Sequence, residues 1–152
     1  DRRPAHLPVA LMLGSYKTLA NTLQAVSIFK RKMTDVQWNP VDLGEKGIWF
    51  RVFTGGFKAQ RDAFEYKAKH GLAESLIVTM PWTVAVGPVD SLKAIRALTE
   101  KLEEHRFGSV AVRRENDRFA VNMGIFVTRK GAEVLAGDVN RLNVGDVSVV
   151  LR

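Results

Sequence analysis

In the run GIWFRVFTGGF, Gly47 to Phe57, the residues Trp49, Arg51 and Phe53 recur at every second position. In a strand that spacing places all three on one face and turns the intervening Phe50 and Val52 to the other. An indole beside a guanidinium suits non-covalent recognition. The ring stacks on an apolar surface, and the guanidinium holds an anion through charge-assisted, bidentate hydrogen bonds. Covalent and metal chemistry have less to work with. The chain has no cysteine, which removes disulfides, thiolate nucleophiles and thiolate metal sites. His6, His70 and His105 are scattered, without an HExxH pattern or a paired ligand, so no metal site is expected. Ser15, in LGSY, lacks the second glycine of a nucleophile elbow, and TGGF lacks the lysine and hydroxyl of a phosphate loop. Asp35, Asp42, Glu45 and Asp62 show no spacing that pairs them for acid–base work. The chain reads as a non-enzyme with no cofactor.

The elements that would position these residues belong to an ordinary globular chain of 152 residues, 46% hydrophobic and 26% charged. The longest apolar run, PVALML, is far shorter than the roughly 18 residues of a membrane span, and no basic-then-apolar leader opens the sequence. The opening DRRPAHLP reads as the end of a linker over residues 1–7, which suggests the C-terminal part of a longer protein. Net charge is +7, and residues 1–80 carry 12 Lys+Arg against 7 Asp+Glu, while 81–152 carry 11 against 9. Polyanionic partners such as nucleic acid, anionic lipid or acidic wall polymers are favoured, and the first half more than the second.

The chain is written twice. VALMLGSY is echoed by WTVAVGPV, each an alternating strand ending near a glycine, Gly14 or Gly87. A helical stretch follows each. The first is KTLANTLQAVSIFKRKM, with Leu19, Leu23, Val26 and Met33 near one face. The second is DSLKAIRALTEKLEEHRF, with Leu92, Ile95, Leu98 and Leu102, and Asp90 or Ser91 makes it the better capped of the two. Then DVQWNPV and SVAVRRE lead through turns into IWFRVFTGGF and RFAVNMGIF. Here Phe50, Val52, Gly55 and Phe57 match Phe119, Val121, Gly124 and Phe126. The glycine-to-glycine spacing is 41 residues in one copy and 37 in the other, a difference that falls mostly in the hairpin. A helix and a last strand, ESLIVTM or DVSVVLR, close each copy. The fold class is therefore α+β: two βαββαβ (split βαβ, ferredoxin-like) units over 8–80 and 81–152, each a four-stranded antiparallel sheet with two helices on one face.

Function is expected on the helix-free face of the first unit. The parity that buries Phe50, Val52, Val9, Leu11 and Leu13 exposes Ala10, Met12, Trp49, Arg51 and Phe53, with Ser15 and Gln37 at the rim. The alternative for Trp49 and Phe53 is burial against the second unit or another chain.

MLGSY with FRVFTGGF, and AVGPV with FAVNMGIF, resemble the marks of the SPOR (sporulation-related repeat) domain. These are Gln-x-Gly-Ser-Phe ending strand one and an aromatic-x-Val-x-Val-Gly-Pro-Phe pattern ending strand three. The resemblance runs from about Val9 to Leu151 as a tandem pair. It implies a non-catalytic module that binds peptidoglycan, particularly glycan strands denuded of stem peptides at division sites, in the periplasm or cell envelope. It implies sugar-facing roles for Ser15, Trp49 and Arg51, puts Met12 where the family has Gln, and brings Leu76 near the site on the last strand. The corresponding second-copy positions, Ala85, Pro88, Arg118 and Ala120, do not match. That copy is expected to have lost glycan binding and to serve as a packing partner or protein-binding surface, with Arg113, Arg114 and Arg118 as an anion-holding alternative.

An indole would stack on the C–H face of a pyranose, and Arg51 would hold the lactyl carboxylate that amidase cleavage exposes. The rival is an RNA-binding sheet of the RRM type, which shares the βαββαβ order and stacks bases on strand-three aromatics. Against it, strand one offers Ala10 and Met12 in place of a second stacking ring. A small-molecule sensor of the ACT type is a third class, with nothing here to identify its ligand.

Overall fold

The computed structural model describes residues 6–152, so residues 1–5 of the expected linker lie outside the described residues. Two units emerge. The first spans Asp1–Pro81 together with Arg152, and the second spans Trp82–Leu151.

The first unit runs β1 (Val9–Tyr16), α1 (Leu19–Phe29), β2 (Val36–Asp42), β3 (Ile48–Phe57), α2 (Gln60–Lys69) and β4 (Leu76–Thr79). Its antiparallel sheet has the order β2-β3-β1-β4. The second runs β5 (Trp82–Val89), α3 (Leu92–Glu104), β6 (Val110–Glu115), β7 (Arg118–Phe126), α4 (Arg129–Asn140) and β8 (Val147–Leu151), with order β6-β7-β5-β8. Both are split-βαβ units, as the repeated pattern predicts.

Alternation decides what each sheet buries. In the first unit Val9, Leu11, Val36, Trp38 and Val52 face the helices and close on Val26 and Ala63, while Leu13 and Phe50 pack at the margin. Trp38 and Phe50 meet edge-on, with ring centroids 6.0 Å apart, a favoured aromatic geometry. In the second, Val84, Val86, Val121 and Met123 meet Ile95, Leu98 and Leu102 of α3 and Ala132, Leu135 and Val139 of α4. Leu92 departs from the expected face. It is the first residue of α3, where the helix has not yet turned over the sheet, and it is 51% exposed.

The expected difference in capping also disappears. Ser91 Oγ accepts from the Ala94 N–H at 3.1 Å, but Thr18 Oγ1 does the same for Asn21 at 3.1 Å. The hairpins account for most of the spacing difference between copies. Asp42 pairs with Ile48 across a five-residue loop containing a 3-10 turn, Gly44–Lys46, whereas Glu115 pairs with Arg118 across two residues.

Each central pair carries a bulge that needs glycine. Gly55 and Gly124 sit at φ +79° and +69°, and a side chain there would strike the rings of Phe57 and Phe126. The repeat is thus preserved at the level of backbone conformation.

Candidate functional site

Strand pairing places every expected site residue of the first unit on one sheet face, opposite the helices. One row crosses all four strands: Leu76 pairs with Met12, Met12 with Phe53, and Phe53 with Gln37. A second row joins Ser15 to Arg51 and Arg51 to Asn39. Trp49 lies two residues before Arg51 on β3, opposite Val41.

What these residues offer differs from position to position. Ser15 and Leu76 are exposed, the latter by 56%, while Met12, Gln37, Trp49 and Arg51 are half-buried. Phe53 lies on the expected face, yet it is 1% exposed and presents nothing to a ligand. It occupies a central strand, and its cross-strand neighbours Met12 and Gln37 flank it on both sides. Ala10, also expected to be open, is fully buried on a central strand, paired with Val78. Gln37 is also partly committed, its amide donating to Asp35 Oδ1 at 3.2 Å.

The accessible chemistry therefore concentrates where β1 ends and β3 begins. Trp49 is anchored there by its indole N–H, which donates to the Lys46 carbonyl at 3.1 Å. Over its ring sits the ammonium of Lys17, with Nζ 5.3 Å from the centroid. Arg51 lies next along the strand, its Nε buried and without a hydrogen-bond partner. Among the described residues no ion pair engages Lys17 or Arg51. A site with two cations and no carboxylate partner is suited to an anion beside an aromatic platform.

Lys17 is not among the residues expected at the site, and neither is Asn39, which is 1% exposed and meets Arg51 across the ladder. Alternation from Val9, Leu11 and Leu13 would turn Lys17 toward the helices; the register shift between Met12 and Gly14 reverses the parity, so that Ser15 pairs with Arg51 and Lys17 is carried on to face Trp49. Asn39 was hidden because it interrupts an apolar strand between Trp38 and Pro40 and becomes informative only when paired with Arg51.

The second sheet has a different arrangement. Where the first pairs Asn39 with Arg51, the second pairs Arg113 with Ala120, so its arginine sits on the neighbouring strand. Arg118 is engaged by Asp90 at 2.6 Å, and Arg113 by Glu115 at 3.5 Å. Two of the three arginines considered for an anion thus already have acidic partners.

The histidines take local roles. His70 packs on Tyr66 with centroids 4.0 Å apart, and His105 Nδ1 donates to the Lys101 carbonyl at 2.8 Å. Among the described residues no cluster of acidic or histidine side chains is arranged to hold a metal, and no helix is long and apolar enough to cross a membrane.

Fold and face together define a class: an α+β protein of two split-βαβ units, one with an aromatic and cationic corner on its helix-free sheet face. Comparison with protein-family models, curated proteins and solved structures returns no match.

Proposed function

We propose that the chain is a non-catalytic bacterial cell-wall binding module. Its first unit holds peptidoglycan glycan strands, denuded of stem peptides, on the helix-free face, and so targets a parent protein to the septum or wall. The observation that carries this reading is the corner itself. Ser15, Trp49 and Arg51 stand side by side on one face, and the Arg51 Nε has no internal partner. An anchored indole offers a platform for a pyranose C–H face, and Ser15 supplies a hydroxyl for directional bonding. Arg51 supplies a fork for a carboxylate. The resemblance to SPOR domains supports the same reading and implies a periplasmic or cell-envelope location. The second unit, with Ala85 and Ala120 at the matching positions, is left for protein interaction.

The RRM-like alternative needs two exposed stacking rings on the central strands. Phe53 is withdrawn, and β1 provides Ala10 and Met12.

Purified sacculi, with and without amidase treatment, beside a single-stranded RNA control, test the proposal. Amidase-treated sacculi should retain the protein more than untreated ones, and Trp49→Ala should abolish the retention. Tight, Trp49-dependent RNA binding with no retention by sacculi would replace the cell-wall reading with the nucleic-acid one.

A further inference from the structure

The geometry points to Lys17 as a specificity-determining residue that makes this face select carboxylate-bearing glycans over neutral ones. The inference rests on the glycan reading above and goes beyond it, because it concerns what covers the platform before any ligand arrives. The indole of Trp49 is tied at its edge by the bond to the Lys46 carbonyl, which favours the orientation that sets the ring under the ammonium. The register keeps Lys17 there. Ser15 is paired with Arg51 and Tyr16 with Phe50, which brings the next residue of the first strand over Trp49.

A neutral pyranose reaches the ring only by displacing this ammonium. The displaced cation recovers water but finds no carboxylate, since no ion pair engages Lys17 among the described residues. Neutral sugars therefore bind against a competitor that is part of the protein. A saccharide bearing a carboxylate changes the balance. As the sugar takes the ring face, the ammonium exchanges a cation–π contact for a charge-assisted hydrogen bond. Arg51 stands two residues from Trp49, about 7 Å along the strand, with its Nε still unpartnered. One carboxylate between Lys17 and Arg51 satisfies both cations while the ring is occupied by sugar carbons. Lys17 thus excludes ligands that offer only stacking and is released by ligands that also carry the charge.

The test is a pair of titrations on the full chain. Chitotetraose is the neutral probe, and the peptide-free tetrasaccharide of alternating N-acetylglucosamine and N-acetylmuramic acid is the acidic one. Lys17→Gln should strengthen chitotetraose binding by about two- to fivefold, the worth of an exposed cation–π contact. The same substitution should weaken binding of the acidic tetrasaccharide, and Lys17→Arg should preserve the original selectivity because it keeps a cation over the ring. Lys17 is exposed and lies between elements, so circular dichroism should show the variants folded. If both saccharides bind and Lys17→Gln leaves the ratio of their affinities unchanged, the role of Lys17 is overturned while the glycan reading stands. If the unaltered protein binds neither saccharide, the glycan reading falls and takes this inference with it.

Discussion

Adjacent residues of β3 divide cleanly between stability and recognition. Trp49 is half-buried at the end of the sheet, and its ring contacts a mobile type of side chain, the lysine ammonium of Lys17, on the face away from the helices. Trp49→Ala is expected to eliminate retention on denuded peptidoglycan while leaving the urea unfolding midpoint nearly unchanged. Phe53, which alternation alone would have assigned to the same recognition surface, belongs to the interior. Phe53→Ala should cost about 3–5 kcal/mol, the range for emptying a buried aromatic site. Phe50→Ala should cost less than Phe53→Ala, because Phe50 packs on Trp38 at the margin of the core and retains some exposure. Equilibrium urea unfolding of the three variants checks the order. A large loss for Trp49→Ala beside a small one for Phe53→Ala would reverse the assignment.

Among the elements, the bulged central strands and the helix starts carry the testable consequences. Gly55 and Gly124 hold the same left-handed conformation in the two units, each above the ring of a phenylalanine two residues on. Alanine at either position should destabilise its unit by roughly 1–3 kcal/mol, from backbone strain and the collision with the ring. Capping gives a prediction of opposite sign. Thr18, Ser91 and Thr128 each accept a first-turn N–H, whereas Ala59 at the start of α2 has no side chain to do so. Ala59 already has the extended backbone of a cap residue, φ −140° and ψ 160°. Ala59→Thr should therefore raise stability by about 1 kcal/mol, read as an upward shift in the thermal midpoint.

Over the whole molecule, the net charge of +7 favours any polyanion, so salt dependence separates general attraction from a built site. A protein neutralising several phosphates loses affinity steeply as salt rises, one increment per released counterion. Glycan binding that depends on stacking over Trp49 and a single carboxylate should weaken only modestly between about 50 and 200 mM salt, through screening alone. Arg51→Ala and Lys17→Gln should each remove part of that dependence, and the double variant most of it. Single-stranded RNA should bind weakly, with a steep salt slope that Trp49→Ala leaves unaltered. Titrations at several salt concentrations measure all of these quantities, and a shallow slope for RNA beside a steep one for glycan would contradict the assignment.

The order of elements, the duplication and the two faces of β3 were legible in the residues because all three are local, whereas on β1 the register shift between Met12 and Gly14 reverses the parity and sets Ser15 beside Arg51. A strand alternates its side chains whatever lies around it, and a glycine-marked bulge is forced by the backbone of a few residues. Thus Val52 and Leu11 inward, and Trp49 and Arg51 on the helix-free face, followed from spacing alone. Accessibility did not, because it depends on what the pairing sets beside each side chain. Phe53 and Trp49 share parity, strand and aromatic character, yet one is enclosed at the centre of the sheet and the other stands at its end. Only the register between β1 and β3 brings Lys17 onto the indole, and only the pairing of β2 with β3 shows that Asn39 and Arg51 correspond to Arg113 and Ala120 in the second unit. These juxtapositions join residues more than ten positions apart, and their identities carry no local trace of the partner across the ladder.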